Sequence, residues 1–325
     1  MNFFYILPLL LLLLLHFINI PPANELLQHL INGLTLGAIY SLIALGYTMV
    51  YGILKFINFA HGEILMAGTY AAYYFYFFLY DPAQGSSFIL AIFIAALLIA
   101  MFTGATLGIL IEKFAYKPLR KAPRLAPLLS AIGVSIILAN LAALFFGTKS
   151  RKFEYPFDNT TINAGGLSIT PNQIMILGVG LIMMVCLKLF IDKTRLGKAM
   201  RATSQNQSVA SLMGININLI ISLTFAIGSA LAAVAGVLMA LEFKVYPTMG
   251  AMAGLKAFIA AVIGGIGNIN GAMVGGIILG LLETFGVVIL GIPQGLKDTI
   301  AFSVLILILL FRPSGILIKN IKEKV

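Results

Sequence analysis

Between Ser87 and Ile111 the chain runs without a single Asp, Glu, Lys or Arg, and runs of the same kind recur from Ala126 to Phe146 and from Ile217 to Leu241. About 20 apolar residues wound at 1.5 Å per residue cover about 30 Å of hydrocarbon, so each run can cross a bilayer as one helix. A backbone facing lipid must satisfy its own hydrogen bonds, and spanning strands would alternate apolar and polar residues, which these runs do not. The expected fold is all-α, a single polytopic membrane domain over residues 1–325 with about eight to ten spans. A soluble fold is excluded by the quantity of apolar surface. Of the chain, 60% is hydrophobic and 10% charged, against about 25% charged in an ordinary soluble domain.

The apolar stretches fall at Asn2 to Ile20, Leu26 to Leu54, Ile57 to Tyr80, Ser87 to Ile111, Ala126 to Phe146, Pro171 to Ile191, Ile217 to Leu241, Ala251 to Leu290 and Leu296 to Phe311. Ala251 to Leu290 holds about 40 residues, twice what one crossing needs, and is read as two broken passes. Ile57 to Tyr80 is expected to be irregular. The first stretch is apolar like the core of a signal peptide, yet no Lys or Arg precedes it and Pro21-Pro22-Ala23-Asn24 makes a poor cleavage site. A retained helix over residues 1–20 is favoured over a cleaved signal.

Net charge is +10. If the loop Glu112 to Arg124 is cytoplasmic, alternation of spans puts Lys55, the segment Lys193 to Arg201 and the tail after Arg312 on that same side. About 15 of the 21 basic residues then lie inside, as the positive-inside rule requires. The basic balance is therefore a topology signal, and no nucleic-acid partner is expected. Cys186 stands alone within an apolar stretch, which leaves no disulfide framework.

Signatures of catalysis are missing. Gly147-Thr148-Lys149-Ser150 lacks the Gly-Lys-Ser/Thr core of a phosphate loop, and Gly197-Lys198 is followed by Ala199, which has no hydroxyl for magnesium. Gly265-Ile266-Gly267 reaches its next glycine, Gly271, one residue late for a dinucleotide fingerprint. His16, His29 and His61 are scattered without metal-ligand spacing, and no Gly-x-Ser-x-Gly elbow occurs. The expectation is a transport subunit with no catalytic residue, cofactor or metal of its own; any nucleotide that powers it sits on another chain.

Glycine and a few ionisable residues are the informative part. About 11 of the 32 glycines fall between Gly250 and Gly291, with Gly264 and Gly265 adjacent and Gly267, Gly271 and Gly275 four apart, a spacing that lets helix backbones approach closely. Two readings stand: a broken hairpin beside a solute pathway, or simple packing in lipid. Asn58, His61 and Glu63 follow Lys55 at the membrane edge. They are candidates for a gate, for capping a re-entrant helix or for contact with a partner, or they satisfy local backbone and interfacial water. Lys256 and Glu283 lie in the two arms of the glycine-rich region, where pairing would spare an isolated charge in hydrocarbon. Lys297 and Asp298 are expected to anchor the last span at an interface.

The polar stretch from Thr194 to Asn216 carries Val209, Leu212 and Met213 at helical spacing, which predicts a short amphipathic helix ending near Gly214. Such a helix docks either on the membrane surface or in a groove of a partner protein.

Several runs together resemble permease subunits of bacterial branched-chain amino acid ABC importers. They are Asn32-Gly33-Leu34, Ile57 through Glu63, Arg201-Ala202 through Ala210-Ser211-Leu212-Met213-Gly214-Ile215-Asn216, Thr224 to Gly228, Ala232 to Gly236, Lys256-Ala257-Phe258 with Gly264 to Gly267, and Arg312-Pro313-Ser314-Gly315. The likeness spans roughly Leu26 to Leu317. It implies the smaller of two homologous permeases in a bacterial inner membrane, with a cytoplasmic C-terminus, working with a second permease, two ATPase subunits that hold ATP and magnesium, and a periplasmic solute-binding protein. It also implies that the segment 192–216 is the element coupling to an ATPase, through Arg201, Gln205, Asn206, Ala210, Leu212, Gly214 and Asn216. Many members of the family carry acidic residues where this chain has Gln205-Asn206-Gln207, and many lack the stretch Asn2 to Ile20. Members of the family also move urea, short amides and other amino acids, and a channel or secondary carrier is a more distant alternative that would need coupling-ion carboxylates of its own.

Overall fold

A computed structural model of the protein describes residues 22–317 apart from 82, 84, 121, 124, 154–160, 165 and 166. The expected first helix, Asn2 to Ile20, lies outside the described residues, as do Lys121, Arg124 and the lysines after Leu317. Eleven α-helices follow one another among the described residues: α1 (Ala23–Leu54), α2 (His61–Leu79), α3 (Ser86–Ile111), α4 (Leu125–Phe146), α5 (Pro171–Lys193), α6 (Arg195–Gln205), α7 (Gln207–Leu212), α8 (Ile217–Glu242), α9 (Met249–Gly264), α10 (Ile269–Ile289) and α11 (Lys297–Phe311).

Among the described residues, seven helical stretches are long and apolar enough to cross a membrane: Asn24–Leu54, Ser86–Leu119, Leu125–Phe146, Pro171–Lys193, Ile217–Glu242, Ile269–Ile289 and Gln294–Phe311. Of the expected segments among the described residues, the two outside that set are α2 and α9, the ones the sequence marks as irregular or broken. At 16 residues, α9 covers only about 24 Å at 1.5 Å per residue, short of a full crossing.

The breaks have local causes. Lys55 ends α1 in the left-handed conformation, φ 57°, and its N–H returns to the Tyr51 carbonyl. The chain then folds back inward over Lys55 to Ala60 before α2 begins. Gly265 and Gly267, both at positive φ, turn the chain between α9 and α10, and the Asn268 side chain accepts from Gly271 N at 3.2 Å to cap α10. Thr170 and Gln173 form a reciprocal capping box at the start of α5, with Pro171 in the first turn.

The hydrophobic core centres on α1, whose residues from Ala38 to Val50 are buried without interruption, packed by α10, α8, α9 and α5. A second seam joins α3 to α8 and α2. By contrast α4, α5 and α11 leave Leu144, Leu181 and Leu310 exposed, as faces turned to lipid require.

Two local departures from the sequence reading stand out. The stretch Glu112 to Arg124, expected to be a plain loop, continues α3 as a π-helical turn (Glu112–Tyr116) and a 3-10 turn (Lys117–Leu119). Glu112 is buried there because Arg120 pairs with it and Ser222 Oγ donates to it at 2.6 Å. The otherwise helical chain also forms a small antiparallel hairpin, β1 (Ile162–Ala164) with β2 (Leu167–Ile169), where Gly165-Gly166 separates two strand-forming triplets.

Candidate functional site

Elements rich in cations gather at one end of the bundle. Gln207 Nε2 at the start of α7 donates to Ile53 O at 2.8 Å near the end of α1, Ile316 N bonds Ile263 O at 2.8 Å beside the α9–α10 turn, and Arg120 reaches Asn218 Oδ1 at 2.7 Å. Lys55, the end of α3, the α6–α7 pair and the tail after Arg312 therefore share one face, the basic end.

At that end the single amphipathic helix read from the sequence is two. Thr194 caps α6, accepting from Gly197 N at 3.0 Å, and Asn206 breaks the path and caps α7, accepting from Val209 N at 3.1 Å. Arg201 ties α6 back to α5 through Ile191 O at 2.6 Å and Asp192 Oδ1 at 3.2 Å. Ala210 is buried, whereas Val209 and Met213 are exposed and Leu212 is 87% exposed. Gln205 is exposed at the end of α6, Gly214 takes φ 80° to stop α7, and Asn216 caps α8 by accepting from Leu219 N at 3.2 Å. Thr194, Asn206 and Asn216 spend side-chain hydrogen bonds on local backbone, and the apolar stripe of α7 is the projecting surface.

The second region is buried rather than interfacial. His61 is in contact with Gly46, eight residues before Leu54, which puts the start of α2 about 12 Å inside the end of α1 at 1.5 Å per residue. The expected depth at the membrane edge is thus corrected: the inward course of Lys55 to Ala60 carries Asn58, His61 and Glu63 into the core, where all three are buried. Asn58 Oδ1 accepts from Tyr116 OH at 2.5 Å and from Ala60 N at 3.1 Å, the His61 ring meets Tyr47 edge-on at 4.6 Å, and Glu63 accepts from Ser135 Oγ at 3.2 Å. His61 and Glu63 therefore turn to different neighbours. The first turns of α2 and α9 touch here, and a side-chain carbon on either Gly62 or Gly250 would collide with the other's carbonyl.

A third region lies toward the opposite end. Lys256 of α9 sits 2.9 Å from Glu283 Oε1 of α10 and 2.6 Å from Asp298 Oδ1 of α11. Tyr40 of α1 donates to Glu283 Oε2 at 2.9 Å, and its ring centroid is 5.7 Å from the Lys256 ammonium. The structure brings Lys256 and Glu283 together and corrects Asp298 from an interfacial anchor to the third member, because α11 starts against α9. Tyr40 gave no signal in the sequence beyond being a polar ring within an apolar run. Gly264, Gly271 and Gly275 lie where α9 and α10 cross: a carbon on Gly271 would meet the Gly264 carbonyl, and one on Gly275 the Ala260 carbonyl. No cluster of three or more metal-ligating side chains occurs among the described residues.

Fold and site together define a multi-pass helical membrane protein of the transport class, with broken helices meeting around buried charge and an amphipathic helix pair projecting from one end. The family described as branched-chain amino acid transport system / permease component matches residues 29–309. The high-affinity branched-chain amino acid transport system permease protein BraD of Pseudomonas aeruginosa is 46% identical over 312 residues, 94% of this chain and 100% of its own length. LivH of Salmonella typhimurium and LivH of Escherichia coli, which carry the same description, are 45% and 44% identical over 306 residues, 92% of this chain and 97% of theirs. A metal-chelate type ABC transporter solved in an inward-facing conformation has TM-score 0.49 and 15% identity over 86% of this chain and 85% of that one. This chain belongs to the branched-chain amino acid transport permease family.

Proposed function

We propose that the chain is one permease subunit of an ABC importer for leucine, isoleucine and valine in a bacterial inner membrane, forming half of the solute pathway beside a second, homologous permease. The observation that carries this reading is identity of 44–46% with permeases named for that transport, over nearly the whole of both chains. In this reading the basic end is cytoplasmic, as the positive-inside rule asks, and so is the C-terminus. Helices α6 and α7 receive force from an ATPase subunit, where ATP and magnesium are held, and the exposed Val209, Leu212 and Met213 supply the apolar contact. A periplasmic binding protein delivers solute to the opposite end, and Asn58, His61 and Glu63 act where the starts of two broken helices meet.

The test is reconstitution of this permease with its companion permease, ATPases and binding protein in proteoliposomes. ATP-dependent uptake of L-leucine, L-isoleucine and L-valine, absent without ATP and much weaker for urea or acetamide, is the expected result. Equal uptake without nucleotide, or uptake of the amides alone, overturns the reading.

A further inference from the structure

At the end opposite the coupling helices the chain encloses an open cleft of about 620 Å³, whose floor reaches the Lys256 and Asp298 side chains. Its volume falls within the range of small-molecule sites.

The charges on its walls are unequally matched. One ammonium, Lys256, faces two carboxylates. Glu283 is 1% exposed and has the Lys256 ammonium and the Tyr40 hydroxyl as partners. Asp298 shares the same ammonium, but its side chain is 38% exposed and lines the cleft. The surplus negative charge of the group is therefore presented to the cleft. Lys152, Lys244 and Lys297 also line it, as does a second carboxylate, Glu242; among the described residues neither Lys244 nor Lys297 makes a salt bridge, and Lys297 lies 5.1 Å from the centroid of the Phe243 ring. Phe243, Leu241 and Met252 supply apolar wall.

A cleft offering only cations would suit an acidic protein surface. Opposite charges together with apolar wall instead match a small zwitterion with an aliphatic side chain. We propose that this cleft is a receiving subsite on the permease itself for an amino-acid zwitterion, its ammonium drawn to Asp298, its carboxylate to Lys244 and Lys297, and its side chain to Phe243 and Met252. The inference rests on the reading of the chain as an amino-acid permease and adds the residues that first hold the solute after release.

The assembled importer in nanodiscs, without its binding protein, is titrated by saturation-transfer NMR with three probes. These are L-leucine, 4-methylpentanoate, which lacks the ammonium, and 3-methylbutylamine, which lacks the carboxylate. Loss of one charge-assisted contact is expected to weaken binding about tenfold. Asp298→Asn should therefore weaken L-leucine and the amine while leaving 4-methylpentanoate unchanged, and Lys244→Gln with Lys297→Gln should weaken L-leucine and 4-methylpentanoate while sparing the amine. The lysine pair serves as the independent arm should Asp298→Asn fail to assemble. The proposal is overturned if the wild-type complex shows no transfer to millimolar L-leucine, if the variants bind all three probes as the wild type does, or if they change affinity for the binding protein alone. Failure of the underlying reading shows elsewhere, as a wild-type complex whose ATP hydrolysis does not respond to loaded binding protein.

Discussion

An ammonium held among packed helices persists only where anions meet it, and Lys256 meets two. Replacing it by methionine keeps the bulk and strands Glu283 without its counter-ion, so Lys256→Met is expected to destabilise the fold by about 3–5 kcal/mol. Adding Glu283→Gln should recover most of that loss, and thermal unfolding of the four proteins of the cycle measures the coupling. Tyr40→Phe removes one hydrogen bond to a charged group and should cost about 1.5–3 kcal/mol by the same measurement. The pair Lys256 and Glu283 is legible in the sequence because no other Asp, Glu, Lys or Arg occurs between Ala251 and Leu290. Asp298 is not, because nothing in its spacing says that α11 begins against α9, and its neighbour Lys297 makes it resemble an interfacial anchor. The depth of His61 and Glu63 was hidden for a similar reason: the left-handed turn at Lys55 and the inward course after it are tertiary facts.

Among elements, the α9–α10 hairpin is the clearest case of sequence dictating geometry. Its glycine spacing foretold close backbones, and the crossing at Gly264 and Gly271 leaves no room for a methyl group. Gly271→Ala should therefore overpack the crossing and cost about 1–3 kcal/mol. Gly133, in the lipid-facing α4, has nothing within 4 Å of where its side chain would lie, so Gly133→Ala should be neutral or stabilise by up to about 1 kcal/mol through helix propensity. Unfolding midpoints of the two variants in one detergent separate these outcomes. The span boundaries were legible to within a few residues because uncharged runs end at charges and turns. The division of the coupling segment into α6 and α7 was not, since Asn206 reads as one more polar residue until its side chain is seen capping the second helix.

For the whole molecule, the seven long spans among the described residues followed from apolar length, while the shortness of α9, the exclusion of α2 from that set and the arrangement around α1 did not. The spanning helices are similarly greasy, and which of them are buried is decided by small residues and a few polar contacts, such as Ser41 Oγ donating to Met273 O at 2.7 Å between α1 and α10. The assembly that the proposed function requires makes a further prediction. Replacing Leu212 and Met213 by serine, on a surface the fold itself does not bury, should leave the unfolding midpoint of the permease unchanged yet abolish most ATP-driven leucine uptake in the reconstituted importer. Uptake at the wild-type rate would remove α7 from the coupling path.

The touching starts of α2 and α9 bear on how the gene can drift. Any replacement of Gly62 or Gly250 adds a side-chain carbon where the other helix already has a carbonyl. Neither site can be rescued by altering its partner, which has no side chain left to shrink. A saturation library should therefore show both codons frozen except at their third base, a few helical turns away from outward-facing α4 codons that accept nearly any greasy substitute.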